Sequence, residues 1–232
     1  NYQLPMLVAA GGSAIAFALS AYLLREPERH KGSATSAVSF LPQLRSLTVL
    51  WLLILLYFGL FFIFSGMEST LALWCEAALS MGPRQVGYYL AFAGICGVIV
   101  QGGIVGRLVP RLGEAKVVII GLVCLAVGLW GLPLVSFEIW LLLPIALLSI
   151  GFGFANPSLQ SLISRAAPDN MRGGTMGVAQ SANSLGRITG HAWGGVAFAG
   201  LGVGWPFYSG AILVLPVLFA TIVLSRRIKS GA

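Results

Sequence analysis

Apolar residues run along this chain in seven long, nearly unbroken blocks, at approximately 4–24, 47–74, 86–108, 115–135, 139–164, 173–198 and 205–225. A bilayer's hydrocarbon core is crossed by roughly 20 predominantly apolar residues wound as a helix. The blocks do not alternate apolar with polar positions, as transmembrane strands would over about ten residues. The pattern predicts an all-α membrane protein with seven transmembrane helices. One substantial connection, 26–46, separates the first block from the rest. It is charged at its start, then rich in Ser, Ala and Thr, and Pro27 and Pro42 discourage a continuous helix. The six later blocks follow one another through short connections, and two sets of three suit an inverted repeat.

Composition agrees. Of 232 residues, 57% are hydrophobic and 9% charged, and mean hydropathy is +0.90. A soluble domain carries about 25% charged residues, so an ordinary soluble enzyme, a disordered chain and a nucleic-acid-binding domain are excluded. The net charge of +7 has another cause. Taking alternate connections as one side, Arg25, Arg29, Lys31, Arg45, Arg107, Arg111, Lys116, Arg165, Arg172, Arg226, Arg227 and Lys229 share a face. That is twelve of the fourteen basic residues. The positive-inside bias makes this face cytoplasmic, with the first residue outside and the last inside. A start at Asn1 on the outer side, directly before a span, points to a chain that is the latter part of a longer membrane protein. Cys75, Cys96 and Cys124 form no C-x-x-C and read as small apolar residues. No metal-ligand spacing, nucleophile triad or phosphate-cradling motif is present, so neither enzyme, metal site nor cofactor is expected.

Two connections carry detail. In Gly103…Gly106-Arg107…Arg111-Leu112-Gly113-Glu114, Arg107 and Arg111 suit the negative end of a helix dipole. Gly113 suits a left-handed helix closure, and Glu114 the positive start of the next helix. In Ala167-Pro168-Asp169-Asn170-Met171-Arg172-Gly173, Asp169 is a candidate N-cap. With Gly66-Met67-Glu68-Ser69-Thr70-Leu71-Ala72-Leu73-Trp74, Gly151-Phe152-Gly153…Asn156-Pro157-Ser158-Leu159-Gln160, Ser164-Arg165, Arg172-Gly173 and Ser184-Leu185-Gly186-Arg187-Ile188…Gly190, these runs carry a resemblance. The chain resembles the C-terminal half of a major facilitator superfamily transporter, with the drug/proton antiporter branch that includes tetracycline efflux proteins nearest. The resemblance implies that 1–25 is equivalent to helix six, 26–46 is the cytoplasmic linker loop, and 47–229 is the C-terminal six-helix bundle of a twelve-helix fold. Gly106 stands where the fuller loop motif carries an acid, and His191 where proline follows Gly190 in the family. Helices seven and ten are then expected to line a central cavity, and eight and eleven to meet the N-terminal half of the same transporter.

Polar residues at bilayer depth face a bundle interior or a watery cavity. At 100° per residue, Gln180, Asn183, Ser184, Arg187 and His191 fall on one stripe, beside a Gly186, Gly190, Gly194 seam that permits close backbone approach. Arg187 lies ~20 Å beyond its helix start, as a structural pin or an anion or proton-coupling contact. His191, one turn on, is a candidate proton carrier or a hydrogen-bonded packed histidine. Glu68 reads as an interfacial cap, a salt-bridge partner or a protonatable gate. Ser149, Gly153, Asn156 and Gln160 share a face beside Pro157, which marks a hinge or a packing kink. Gly87, Gly94, Gly97 and Gln101 read as a close helix contact with one polar cavity residue. Phe58, Phe61, Phe62 and Phe64 read as lipid-facing or core aromatics.

The expectation is a secondary active transporter of a small solute in a bacterial inner membrane, working by alternating access as proton-coupled efflux. Glu68, Gln101, Asn156, Gln160, Gln180, Asn183, Arg187 and His191 form its substrate or proton pathway. Its partners are the lipid bilayer, protons, a small molecule and the N-terminal half, with no nucleic acid. An organic-anion or metal-complex carrier, or a non-transporting scaffold or receptor of the same fold, are the alternatives.

Overall fold

The structure is a computed structural model that describes residues 3–23 and 48–230. The 26–46 connection, with Arg29, Lys31 and Arg45, lies outside the described residues, as does Arg25. The chain divides into two compact units, Asn1–Ala34 and Thr35–Ala232. The first contains α1 (Gln3–Leu23), whose side chains from Ala10 to Leu23 are exposed.

The second unit is a six-helix bundle. α2 is Thr48–Leu79 and α3 Pro83–Ile99. A π-helical turn, Val100–Ile104, joins α3 to α4, Val105–Leu112. α5 is Glu114–Gly131, α6 Leu142–Ala166, α7 Arg172–Leu201 and α8 Trp205–Ser230. Each expected span is therefore a helix. Among the described residues, five helical stretches are long and apolar enough to cross a membrane: Thr48–Leu79, Pro83–Leu112, Glu114–Leu134, Glu138–Ala166 and Trp205–Arg226. α7 is not one of them, because its polar stripe and glycines dilute the apolar content. In α1 the shorter stretch Ala10–Leu23 is apolar.

The turns explain the boundaries. α2 ends where Ser80 takes a left-handed φ of 54°, and the Ser80 and Met81 N–H groups return to the Glu76 and Cys75 carbonyls. Pro83 then opens α3, where its missing N–H costs nothing. Gly113, at φ +83°, closes α4 as expected, its N–H donating to the Val109 carbonyl at 2.8 Å. Asp169 differs from expectation. Pro168 is the capping residue of a 3₁₀ turn, Asp169–Met171, and no side chain caps it. The Asp169 carboxylate instead pairs with Arg172 at 2.8 Å.

The short turns make successive helices alternate in direction. One end of the bundle thus carries Arg107, Arg111, Lys116, Arg165, Arg172 and Arg226, and the other Glu76, Arg84 and Glu138. α2 packs on α7 and α8, while α6 packs on α3 and α5; α2 also meets α6, and α5 meets α8. Exchanging α2, α3–α4 and α5 for α6, α7 and α8 maps these neighbours onto each other, with helix direction inverted. That is the arrangement two inverted sets of three produce. The core holds Leu50, Leu53, Leu60, Trp74, Leu122, Leu125, Leu129 and Phe207, all buried.

Glycines set the closest approaches. On α7, Gly186, Gly190 and Gly194 lie against the α2 backbone at Phe58, Phe62 and Gly66. A Cβ on Gly186 would sit 2.6 Å from the Phe58 carbonyl oxygen. The expected seam is present, and α2 is its partner. Among the described residues no helix packs on Gly87, Gly94 or Gly97: no atom lies within 4 Å of a Cβ built on any of them. α3 is held to α6 one helix face away, at Val100, whose side chain fills the space beside Gly153.

Candidate functional site

The polar residues singled out from the sequence separate into three places. The first is a hydrogen-bonded knot between α2, α6 and α7. Gln160 Nε2 donates to Tyr57 Oη at 2.6 Å, and the Tyr57 hydroxyl donates to Asn156 Oδ1 at 3.2 Å. Asn156 and Gln160 are one helical turn apart on α6, so one phenol reaches both. Asn183 of α7 also faces the Tyr57 hydroxyl. Its side chain is 7% exposed, its Nδ2 approaches Gln180 Oε1 at 3.5 Å, and its Oδ1 is enclosed with no donor. A buried carbonyl left unpaired costs ~1–3 kcal/mol. Tyr57, Asn156 and Asn183 lie at about the same level, roughly 14–16 Å along their helices from the basic end.

The second place is a cleft of about 290 Å³ between α2, α3 and α6. Glu68, Gln101 and Ser149 are its polar lining, with Phe64 and Phe152 among its apolar walls. Gly94 and Gly97 also line it, which is why their helix face has no packed neighbour. Gln101 sits in the π turn, an irregularity often found at functional positions. Aromatic rings link the cleft to the knot. Phe64 stacks on Phe152 at 3.9 Å, Phe152 meets Phe61 edge-on at 5.4 Å, and Phe61 meets Tyr57 edge-on at 5.0 Å. Phe58 stacks on Phe62 at 6.1 Å, and both line a separate apolar groove between α2 and α8.

The third place is the edge of α7. The helix buries Thr175, Ala179, Asn183 and the glycine seam, and this leaves Gln180, Ser184, Arg187 and His191 exposed. Asn183 alone of the stripe turns inward. No acid pairs with Arg187 among the described residues. Glu76 is also exposed.

The loop positions are held at the basic end. Glu114 pairs with Arg165 at 2.9 Å and accepts from Ser161 Oγ at 3.2 Å, which joins the start of α5 to the end of α6. Arg172 Nε donates to the Ser164 carbonyl at 3.1 Å. Arg107 and Arg111 are exposed, and Gly103 is half-buried in the π turn with open space beside it. Among the described residues no group of three or more His, Cys, Asp or Glu gathers to hold a metal ion.

Tyr57 was not singled out from the sequence, and Phe152 entered only within the Gly151-Phe152-Gly153 run, with no role at a cleft. The signal for Tyr57 was present, since a tyrosine inside an apolar span needs a partner for its hydroxyl.

The sequence profile of the Major Facilitator Superfamily matches residues 1–191. The chain belongs to the major facilitator superfamily. As a superfamily member it is 26% identical, over 99% of its length, to 59% of the Bacillus subtilis (strain 168) Multidrug resistance protein 2. It is 30% identical, over 94% of its length, to 58% of the class G Tetracycline resistance protein of Vibrio anguillarum. The crystal structure of the human organic anion transporter MFSD10 (TETRAN) superposes with a TM-score of 0.70 at 25% identity, covering 75% of this chain and 41% of that one. The chain thus spans a little under three-fifths of the length of these two curated relatives. Its superfamily membership and apolar helices make it a multi-pass membrane protein.

Proposed function

We propose that this chain is the C-terminal portion of a secondary active transporter that exports a small solute by alternating access, coupled to protons. The observation that carries the reading is the cleft between α2, α3 and α6, where a carboxylate, Glu68, an amide, Gln101, and a hydroxyl, Ser149, stand in a mostly apolar wall. Lipid-depth ionic groups are costly unless they serve a passage or a partner. In this reading 1–25 is helix six, 26–46 the cytoplasmic loop and 47–229 the six-helix bundle. The basic end faces the cytoplasm of a bacterial inner membrane, which puts the chain's first residue outside and its last inside. The exposed edge of α7 and the open face of α3 meet the N-terminal half. Glu68, Arg187 and His191 carry charge or protons, while Gln101, Asn156, Gln160, Gln180 and Asn183 supply neutral contacts. The multidrug and tetracycline resistance names of the relatives favour efflux as the direction.

The test is Arg187→Ala in the intact protein, with flux measured in vesicles under an imposed pH gradient at matched expression. Loss of gradient-driven flux is expected, and undiminished flux removes Arg187 from the mechanism.

A second reading, an organic-anion carrier, is favoured by Arg187, which has no acidic partner among the described residues. His191 lies one turn beyond it on the same exposed edge. The structural neighbour is named an organic anion transporter. A vesicle panel of anionic and lipophilic cationic solutes separates the two, since efflux of the multidrug type favours the cations.

A further inference from the structure

The groove between α2 and α8 lies outside the proposed pathway, and no polar side chain lines it. Leu52, Gly59 and Ile63 of α2 border it with Pro216, Val217 and Ala220 of α8, around about 390 Å³. From Leu52 to Ile63 it runs ~16 Å along α2, close to the ~15 Å of one leaflet's hydrocarbon. α2 has 32 residues, and at ~48 Å it exceeds the ~30 Å core of a bilayer. Its first turn therefore stands at headgroup level, and the groove begins directly beneath. A helix 10–12 Å across fills roughly 1,300–1,800 Å³ over the same length. The groove thus admits a single flexible chain and no helix.

Positive charge stands at the mouth of the groove. The apolar stretch of α8 stops at Arg226, which is exposed, and Arg227 and Lys229 follow. Arg227 lies seven residues beyond Ala220 and eleven beyond Pro216, so the helical period puts it on the face of α8 that lines the groove. Among the described residues the acids at this end, Glu114 and Asp169, are held by Arg165 and Arg172. They leave Arg226 without a counter-charge.

We propose that this groove holds one acyl chain of an anionic phospholipid from the leaflet at the basic end, with Arg226 and Arg227 at its headgroup. The groove takes the apolar length of such a lipid, and the arginines take its charge. A zwitterionic lipid satisfies only the first. One basic residue near a membrane surface favours anionic lipid about fivefold. The inference rests on the chain's place in a membrane and not on transport, so the outcome of a flux assay leaves it untouched.

The experiment reconstitutes the full-length protein in phosphatidylcholine vesicles with a trace of phospholipid that carries a diazirine midway along one acyl chain. The probe's headgroup is phosphatidylglycerol in one sample and phosphatidylcholine in the other. After illumination, adducts are mapped by peptide mass spectrometry. Phosphatidylglycerol is expected to label 52–63 and 213–220 about fivefold more than phosphatidylcholine does. Ala220→Leu fills the groove beneath Arg227 and is expected to deplete those adducts while the unfolding midpoint holds. Arg226→Gln combined with Arg227→Gln is expected to bring the headgroup ratio towards one while groove adducts persist. Adducts spread evenly over the exposed apolar helices are ordinary solvation by lipid and overturn the proposal. A groove free of adducts beside a labelled surface, the result a covering protein helix gives, overturns it too. So do equal labelling by the two headgroups, a ratio that survives the paired arginine substitution, and groove adducts undiminished by Ala220→Leu.

Discussion

Gly121 on α5 and Gly151 on α6 face each other so closely that a methyl group on either would lie 2.7 Å from the other's carbonyl oxygen. Both obstacles are backbone, so no side chain can swing away to relieve the contact. The two helices must separate or shift instead. Gly121→Ala and Gly151→Ala are each expected to lower stability by about 1–3 kcal/mol, the usual cost of overpacking a filled core. Gly131→Ala is the control, because no atom lies within 4 Å of its added Cβ. Thermal unfolding in detergent checks the contrast, and equal midpoints for Gly121→Ala and Gly131→Ala would show that α5 and α6 are not packed this tightly.

The cleft allows a converse experiment. Gly97 borders it, and a Cβ there meets nothing within 4 Å. Gly97→Val adds volume to the space between Phe64, Phe152 and Glu68 without pressing on a helix. Stability is expected to stay within about 1 kcal/mol, since replacing an open helical glycine changes little else. Transport by the intact protein falls at the same time. A variant that transports normally with the cleft so narrowed removes it from the solute's path.

How much of this was legible beforehand varies with the physics involved. Five of the helices follow from apolar length alone, which needs no knowledge of neighbours. The Gly186, Gly190, Gly194 seam was legible because the 3.6-residue period places its members on one face. The partner of that seam was not, since periodicity says which residues share a face and nothing about what covers it. For the same reason Gly87, Gly94 and Gly97 read as a helix contact, and among the described residues nothing covers them. The stripe of Gln180, Asn183, Ser184, Arg187 and His191 reads as one surface in sequence. A span of about 100° is wide enough for its margin to turn inward while the rest stays exposed, and Asn183 does so towards Tyr57. The π turn at Val100–Ile104 left no mark in composition.

At the basic end, Glu114 is held by Arg165 and by Ser161 Oγ. Arg165 is 71% exposed and Glu114 11%, so water screens one side of the pair. Arg165→Ala is expected to cost less than about 1 kcal/mol and to lose its effect at high salt. Ser161→Ala removes a salt-independent bond of about 0.5–1.5 kcal/mol. Unfolding midpoints of both variants at low and high salt test the division, and a salt-independent penalty for Arg165→Ala contradicts it.

Asn183 separates stability from function. Its Oδ1 is enclosed without a donor, and its Nδ2 lies a long 3.5 Å from Gln180 Oε1. Valine is only about one methylene larger than asparagine and carries no polar atom to leave unpaired. Asn183→Val should therefore remove the desolvation penalty of the carbonyl at a modest packing cost, and stabilise the bundle by about 1 kcal/mol. Most substitutions in a packed bundle destabilise, so the sign alone is informative. If the carbonyl is kept to meet a solute, the same variant loses solute affinity while its unfolding midpoint rises. A drop in both measurements would mean that Asn183 is bonded in the working protein and that its carbonyl is a structural contact.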